Sequence, residues 1–441
     1  MRTWILVLLG GGALYFAWTR YGTTDAAEGP QDAQEAAAVE AGDVPGGGAF
    51  SSLARLKAAA EAEAPAGEEA PQAAPEPVVE PVVEPEAALD DLDLNALGDP
   101  LHEGALLLER PDDLQDYING RGKDLSRSRK KLLIAYLLLA RGQHGQVAKY
   151  AEGLDQAQDI TPEELRLLQD GVARRPVGLR DGSGRPSSNA LVLGASMAIA
   201  SREAEEAAMA SRWGPAARRL SELLVLGLDL PWELQPRTME SWATRLHEAQ
   251  ASHRWDRNGD WPSFEVTVAP GDTLIGIRQR AVQDRPGLTL CTGLIERVNG
   301  HKGYLRPGQV LRIPTDQVRT LVDLSSHWLL YMHGDEVVCA WRVTTGREGN
   351  ETTPGRYPVG EKTPEPTWFP KGRIVPYGDP ENPLGTRWIT LESSGGLGIH
   401  GTWQPEAIGQ MASDGCIRLL NRNVEELFEI IPRGSEVILR P

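Results

Sequence analysis

One histidine and one cysteine near the C-terminus have the surroundings that thiol chemistry needs. His400 lies sixteen positions before Cys416, and both are set among glycines and other small residues. A cysteine attacks as its thiolate, so it needs a neighbour that takes or stabilises the proton, and an imidazole can be that base. Gly415 lets the backbone approach a substrate closely, and the N–H groups of Gly415 and Cys416 could stabilise a developing oxyanion. The pattern predicts a nucleophilic cysteine with a histidine base.

The other cysteines and two further histidines have settings that indicate no chemistry. Cys339 lies in an apolar run and Cys291 follows a leucine, so both are predicted to be packing residues. His327 lies near a strand start and His333 at a hairpin tip, so both are predicted to be solvated. Three cysteines in all cannot form a dense disulfide framework.

The same C-terminal residues do not favour a metal. His400, Asp414 and Cys416 are all ligand types, but no metal-ligand spacing elsewhere in the chain supports a zinc site. We therefore expect neither a metal nor another cofactor.

The acidity of the chain lies in one segment. The net charge is −17, and residues 22–100 hold eighteen acidic against two basic side chains, which is −16 of that total. Such a segment indicates a tail or linker rather than an acidic binding surface. Nucleic acid is not expected as a partner, because no basic stripe with interleaved aromatic residues occurs.

The first hundred residues predict a tethered protein. Arg2 precedes an uncharged apolar run, Thr3 to Trp18, so residues 1–21 resemble a membrane anchor or signal sequence. A cleaved signal stays open as the alternative. Residues 22–98 are rich in Ala, Glu and Pro and should form a disordered linker. An anchor followed by such a linker would tether the rest of the chain to a membrane.

Residues 99–254 are helical in pattern. Apolar runs separated by short polar loops predict an all-α scaffold domain, and Thr161 to Glu164 is typical of a helix start. Short loops suggest antiparallel helix pairs loosely like tetratricopeptide repeats, without a convincing fixed period. The segment carries no chemistry, and a scaffold or interaction domain for other proteins is the expected role.

Residues 262–315 predict a strand, two helices and a closing strand. The turn Gly271, Asp272, Thr273, then Asn299, and then the stretch Leu305 to Pro314 resemble a LysM domain. LysM domains bind glycans such as peptidoglycan, so the resemblance implies glycan binding around Gly271, Asp272, Thr273 and Asn299. A degenerate module that serves only as a spacer is the alternative.

Residues 317–441 are rich in predicted strands. The stretch resembles the catalytic domain of the L,D-transpeptidases, the YkuD fold, over its whole length. The matching motifs are Thr353-Pro354-Gly355, Asn382-Pro383-Leu384-Gly385, Gly398-Ile399-His400-Gly401-Thr402 and Ser413-Asp414-Gly415-Cys416-Ile417-Arg418. The fold class expected for the chain is therefore multidomain: disordered acidic linker, all-α scaffold, LysM (βααβ) and a C-terminal, mainly-β YkuD-type sandwich.

The resemblance implies a role for each matching residue. Its enzymes are cysteine acyltransferases that act on peptidoglycan stem peptides. The catalytic set carried over is Cys416, His400, Gly401, whose carbonyl would hold the imidazole, and Gly415. The substrate-binding set is Arg418, Ser413, Asp414, Trp368 and Thr402.

Asp414 departs from the family pattern, which usually has histidine there. A carboxylate two residues before the sulfur could raise the pKa of the thiol, or it could orient His400 or Arg418 by a charged hydrogen bond. The function expected from the sequence is a peptidoglycan L,D-transpeptidase. With the predicted anchor, this implies a location on the periplasmic side of the cell envelope, anchored in the cytoplasmic (inner) membrane, with envelope proteins as candidate partners of the helical segment. The alternatives are a hydrolytic L,D-carboxypeptidase on the same substrate and a non-catalytic peptidoglycan-binding scaffold.

Overall fold

The chain divides into two compact units, Met1–Val78 and Val79–Pro441. The computed structural model describes residues 5–9, 13–17, 100–120, 125–230, 238–301, 303–370 and 372–441. In the first unit, strands β1 (Ile5–Leu9) and β2 (Ala13–Ala17) form an antiparallel pair within the segment predicted to be an anchor or signal. The linker prediction for residues 22–98 lies outside the described residues. Among the helices that the structure describes, none has the length and apolar character needed to cross a membrane.

The N-terminal part of the second unit is helical, as the apolar spacing predicts. Its helices are α1 (Pro100–Glu109), α2 (Pro111–Gly120), α3 (Arg127–Ala140), α4 (His144–Ala151), α5 (Pro162–Val172), α6 (Ala190–Met209), α7 (Trp213–Leu228) and α8 (Thr238–Ala251). Thr161 and Glu164 form a reciprocal capping box at the start of α5, with hydrogen bonds of 3.2 and 2.8 Å. The helix start predicted there is therefore confirmed.

The next segment has the predicted strand–helix–helix–strand order. It consists of β3 (Ser263–Thr267), α9 (Leu274–Asp284), α10 (Thr292–Asn299) and β4 (Val310–Pro314). The two strands pair antiparallel, from Ser263 opposite Pro314 to Thr267 opposite Val310. This brings the loop after β3 and the loop before β4 to the same end of the pair.

The C-terminal segment is built on an eight-stranded mixed sheet. Its strands are β5 (Val318–Asp323), β6 (Trp328–His333), β7 (Glu336–Arg342), β9 (Gly355–Pro364), β10 (Arg387–Leu391), β11 (Gly398–His400), β13 (Ile417–Arg418) and β14 (Glu436–Arg440). The order across the sheet is β13-β11-β10-β9-β14-β5-β6-β7. Two short strands, β8 (Thr345–Gly346) and β12 (Met411–Ser413), pair separately, and α11 (Asn421–Ile430) precedes the last strand.

The expected sandwich takes the form of one continuous curled sheet. Strand β9 joins its two halves, because Gly355 to Pro358 pair with β14 whereas Val359 to Pro364 pair with β10. A sequence pattern of separate strands cannot show that one long strand belongs to both halves. The predicted hairpin through Gly334 is confirmed, since His333 and Glu336 are its closing pair.

The helices cover one edge of this sheet. Strand β7 is an edge strand, and side chains from α7 and α8 satisfy its outward-facing backbone groups. The Val337 N–H donates to Ser221 Oγ (2.7 Å), Gln250 Nε2 donates to the Val337 carbonyl (3.0 Å), and the Ala340 N–H donates to His247 Nε2 (3.1 Å). Burial lowers the pKa of His247 to about 4, so its imidazole is neutral and accepts this bond. The helical segment thus packs directly against the C-terminal sheet and completes the hydrogen bonding of its edge strand.

One predicted surface histidine belongs to the interior instead. His333 is buried, its ring nitrogen lies 3.2 Å from the Tyr331 hydroxyl, and the Trp255 ring packs against it edge-on. The prediction of a solvated His333 was wrong, because the segment before β3 packs over the hairpin that carries it.

A direct backbone contact joins α10 to α11. A Cβ atom on Gly293 would lie 2.2 Å from the Glu429 carbonyl oxygen, and Cys291 Sγ donates a hydrogen bond to the same oxygen (3.2 Å). Arg297 and Glu426 form an ion pair of 2.7 Å beside it. The two helices can approach this closely only because Gly293 has no side chain.

We expect Gly293→Ala to destabilise the protein. The added methyl forces α10 away from α11, and such overpacking costs about 1–3 kcal/mol of unfolding free energy, measurable by urea titration. Gly145→Ala is the matched control, since Gly145 is also the second residue of a helix and a Cβ there meets nothing within 4 Å. The control should be neutral or slightly stabilising. Equal effects at the two sites would contradict a close helix contact at Gly293.

Candidate active site

Two parallel neighbouring strands bring the predicted nucleophile and base together. In the register of β11 and β13, Ile399 lies opposite Ile417 and His400 opposite Arg418. Cys416 immediately precedes β13, next to Gly398. Because side chains alternate between the faces of a strand and paired residues share a face, Cys416, His400 and Arg418 project to the same side of the sheet.

His400 is held as a neutral base. Its ring is 3 % exposed, and Nδ1 lies 2.7 Å from the Gly401 carbonyl oxygen. A carbonyl can only accept, so Nδ1 carries the proton and Nε2 keeps its lone pair. The Trp388 ring stacks on the imidazole at 5.6 Å between centroids, with 21° between the planes. Burial, assisted by the Arg418 charge, lowers the pKa of His400 to about 4 against the opposing effect of the Gly401 hydrogen bond.

The Cys416 thiol is half-buried, and its surroundings favour the protonated form. Burial raises the pKa of Cys416, and the nearby Asp414 charge raises it further. The backbone hydrogen bond from Gly398 and the Arg418 charge act in the opposite direction. At neutral pH the pair is a thiol beside a neutral imidazole, so the proton must move to His400 as the sulfur attacks.

The loop before the cysteine is braced from within and from one neighbour. Gly415 has φ +110°, a conformation that favours glycine, and its carbonyl accepts from the Thr352 hydroxyl (2.8 Å). The Gly415 N–H donates to Ser413 Oγ (3.2 Å), and Ser413 Oγ donates to the Cys416 carbonyl (2.6 Å). Ser413 therefore braces the loop, and the Gly415 N–H is engaged within it.

Asp414 pairs with an arginine rather than with either reacting group. Its Oδ1 accepts from Nε (3.0 Å) and Nη2 (2.7 Å) of Arg347. It orients neither His400 nor Arg418 in this structure, so of the two roles left open by the sequence only the electrostatic effect on the thiol is present.

The remaining candidates of the catalytic segment lie around this centre. Arg418 is half-buried, and its Nη1 donates to Gln404 Oε1 (3.3 Å). Thr402 is buried, and its hydroxyl accepts the Gln404 N–H (3.0 Å), so it shapes a turn. Trp368 pairs with Val375 through two backbone hydrogen bonds (2.8 and 2.9 Å). This pairing closes the base of a loop.

The four glycan-binding candidates have structural roles. Gly271 lies in the turn before α9 with φ +85°, and the Asp272 carboxylate accepts a backbone N–H within that turn (2.9 Å). Thr273 is the cap of α9, and its hydroxyl accepts a backbone N–H at 3.1 Å. The Asn299 side chain joins α10 to β4 through three backbone hydrogen bonds of 2.8 Å.

Three residues that position the site were not singled out as site residues from the sequence. Trp388 stacks on the imidazole because β10 places it opposite His400. Thr352 supports the nucleophile loop, and Arg347 pairs with Asp414. The Thr353-Pro354-Gly355 motif that follows Thr352 was a signal for this region. The pairings themselves depend on strand register.

A neutral buried imidazole, fixed at one nitrogen and placed beside a half-exposed thiol on adjacent strands, defines a cysteine-dependent acyl-transfer enzyme. Among the described residues, no three His, Cys, Asp or Glu side chains are grouped so as to hold a metal.

Comparisons with known proteins specify the family. Residues 317–439 match the family described as the L,D-transpeptidase catalytic domain, YkuD. A Bacillus licheniformis protein named as the L,D-transpeptidase YkuD is 32 % identical over 187 residues, covering 40 % of this chain and 97 % of its own. YqjB of Bacillus subtilis, also named as an L,D-transpeptidase, is 34 % identical over 123 residues, covering 27 % and 69 %. The chain belongs to the L,D-transpeptidase family of cysteine-dependent acyltransferases.

Solved structures of the same class were also found. The catalytic domain of the E. faecium L,D-transpeptidase is 24 % identical and covers 28 % of this chain and 98 % of its own, with a TM-score of 0.24.

The pH dependence of acylation should follow the depressed pKa of His400. A base that protonates only near pH 4 stays competent below the usual range of histidine, so the rate should be flat between about pH 5 and pH 8. An ordinary histidine would give a fall near pH 6.5. Acylation of the enzyme, followed by intact mass, measures the profile, and circular dichroism at each pH controls for unfolding. A rate that halves near pH 6.5 while the fold persists would contradict a buried neutral base.

Proposed function

We propose that this chain is a peptidoglycan L,D-transpeptidase that transfers the acyl group of a stem tetrapeptide from Cys416 to an amine acceptor. The observation that carries the proposal is the neutral His400 imidazole, fixed through Nδ1 and placed on the strand beside the cysteine. This is a thiol–imidazole arrangement for acyl transfer, and membership of the family supplies the substrate class.

The reaction proceeds in two steps. The Cys416 sulfur attacks the carbonyl before the terminal D-residue, and the thiol proton passes to His400 Nε2. The C–N bond then breaks, the imidazolium returns the proton to the leaving amine, and a thioester remains on the enzyme. An acceptor amine attacks the thioester, releasing the thiol and forming a new peptide bond.

The oxyanion of each step needs stabilisation. The Gly415 N–H is engaged within the loop, so the Cys416 N–H is the donor we assign to the oxyanion. The Arg418 guanidinium adds a positive charge on the same face, where its field already lowers the pKa of both reacting groups.

The segment 262–315 is proposed to be a LysM module that holds the glycan strand. Two exposed apolar side chains support this, since Ile275 follows the loop after β3 and Tyr304 lies in the loop before β4. Those loops meet at one end of the strand pair, where the Val268 N–H donates to the Gln309 carbonyl (2.8 Å). An exposed tyrosine ring offers a face on which a sugar ring can stack.

We also propose where in the cell the enzyme acts. An apolar N-terminal run with flanking arginines would anchor the chain in the cytoplasmic membrane, and the acidic linker would let the enzyme reach the wall on the periplasmic side. The exposed surface of the helical segment remains the candidate for envelope protein partners.

Incubation with tetrapeptide muropeptides tests the proposal. Mass analysis of the products should show cross-linked dimers together with release of the terminal D-amino acid. Tripeptides alone would mean that water resolves the thioester and that the enzyme is a carboxypeptidase. Failure of Cys416 to form a carbapenem adduct while free and reduced would leave a non-catalytic wall-binding protein.

A further inference from the structure

The backbone of Arg347 is attached to the nucleophile loop. Arg347 directly follows β8, and its N–H donates to the Ser413 carbonyl (2.9 Å). The buried Thr352 hydroxyl accepts the Gly346 N–H (2.8 Å) and donates to the Gly415 carbonyl (2.8 Å). Arg347 is therefore held at a fixed place beside the residues that lead to Cys416.

Only some of the hydrogen-bond donors of the Arg347 guanidinium have a partner among the described residues. Its Nε and Nη2 both donate to Asp414 Oδ1, and among the described residues Nη1 has no partner. The side chains of Arg347 and Asp414 are 55 % and 74 % exposed. Exposed pairs contribute about 0–1 kcal/mol, so stability does not explain a charge pair at this position.

The charge at the mouth of the site matters because the donor peptide is itself an anion. A stem tetrapeptide ends in a D-residue with a free carboxylate, next to the bond that Cys416 attacks. Asp414 alone would repel that carboxylate, whereas the Arg347–Asp414 pair removes the net negative charge and leaves N–H donors facing solvent. A guanidinium is suited to carboxylates, and hydrogen bonds between charged groups are the stronger kind.

We propose that Arg347 is a specificity-determining residue that binds the terminal carboxylate of the donor peptide, with Asp414 holding the guanidinium in position. This inference rests on the proposed function and names the group of the donor that the site selects. Arg347 lies on the loop that follows β8, 69 positions before the nucleophile in the chain, which is why the sequence motifs around Cys416 do not include it.

The test compares two donors that differ only at the proposed contact. One is a stem tetrapeptide with a free C-terminal carboxylate, and the other is the same peptide with a C-terminal amide. The rate of acyl-enzyme formation, read by intact mass, gives kcat/KM for each. Wild type should favour the acid, and Arg347→Gln should lower the acid-to-amide ratio by about tenfold to a hundredfold. The loss should appear mainly in KM for the acid.

Matched variants separate a contact from a general effect of charge. Arg356 forms an exposed ion pair with Glu436 (2.9 Å) on strands β9 and β14, so Arg356→Gln should keep the wild-type ratio. Arg347→Lys retains the charge and should keep part of the preference. Asp414→Asn should reduce the ratio less than Arg347→Gln, since the guanidinium remains.

The outcomes distinguish failure of the proposed role of Arg347 from failure of the proposed transpeptidase function. An unchanged acid-to-amide ratio in Arg347→Gln, or a wild type that uses both donors equally, overturns the role of Arg347 alone. A wild type that is acylated by a carbapenem but by neither peptide contradicts the proposed donor, and the inference fails with it. Because the readout is a ratio on one protein sample, partial unfolding of a variant does not imitate either result.

Discussion

Cys416→Ala should abolish acyl-enzyme formation, and His400→Ala should reduce its rate by about a hundredfold or more, while the domain stays folded. The sulfur is the atom that bonds to the acyl carbon, so nothing replaces it in the alanine variant. His400 is the proton acceptor for a thiol whose pKa is raised by burial, so loss of the imidazole leaves that proton without an acceptor. A time course of carbapenem adduct formation by intact mass measures both effects.

The same experiment locates the adduct without further labelling. The Cys416→Ala variant retains Cys291 and the fully buried Cys339, so an adduct on either would still add mass. Circular dichroism checks that each variant is folded. His400→Ala should be modestly destabilised, because it loses the stacking of Trp388 on the imidazole. A wild-type rate in either variant would refute the roles assigned to these residues.

The double variant Ser221→Ala and Gln250→Leu should strongly destabilise the folded unit. Both side chains are buried and hydrogen-bond to Val337 at the edge of the sheet. Each buried backbone group left without a partner costs about 1–3 kcal/mol, so the pair should remove about 2–6 kcal/mol of unfolding free energy. Typical domains have only about 5–15 kcal/mol in total. Urea unfolding followed by tryptophan fluorescence measures the change.

A substitution on the same helix serves as the control. Thr244 lies on the exposed side of α8, where its hydroxyl donates to the Glu240 carbonyl one turn earlier (3.0 Å). Thr244→Ala should change the unfolding free energy by less than about 0.5 kcal/mol. A double variant as stable as this control would mean that the helices do not complete the sheet edge.

The chemistry of the centre was predictable from the sequence, but its electrostatic surroundings were not. Cys416 and His400 lie in short glycine-rich motifs whose residue types limit what they can do. The ion pair of Asp414 joins residues 67 positions apart, and only the register of β8 against β12 brings them together. The hydrogen bonds of Ser413 within its own loop were not predicted, because a hydroxyl in a motif looks the same in sequence whether it faces substrate or its own loop.

Helix and strand types were predictable for a related reason, since periodicity is a local property. The burial of His333 and the covering of strand β7 depend on which segments pack together, and no local pattern encodes that. The continuity of the sheet through β9 was not predicted for the same reason, since it depends on which strands pair.

The contact at Gly293 sets a fixed spacing between the proposed glycan module and the cysteine. Because no side chain lies between α10 and α11 at Gly293, the two helices are in direct backbone contact there. Such close packing resists changes in the distance between them. A glycan strand held by residues 262–315 would then present stem peptides to Cys416 only at particular positions along the polymer.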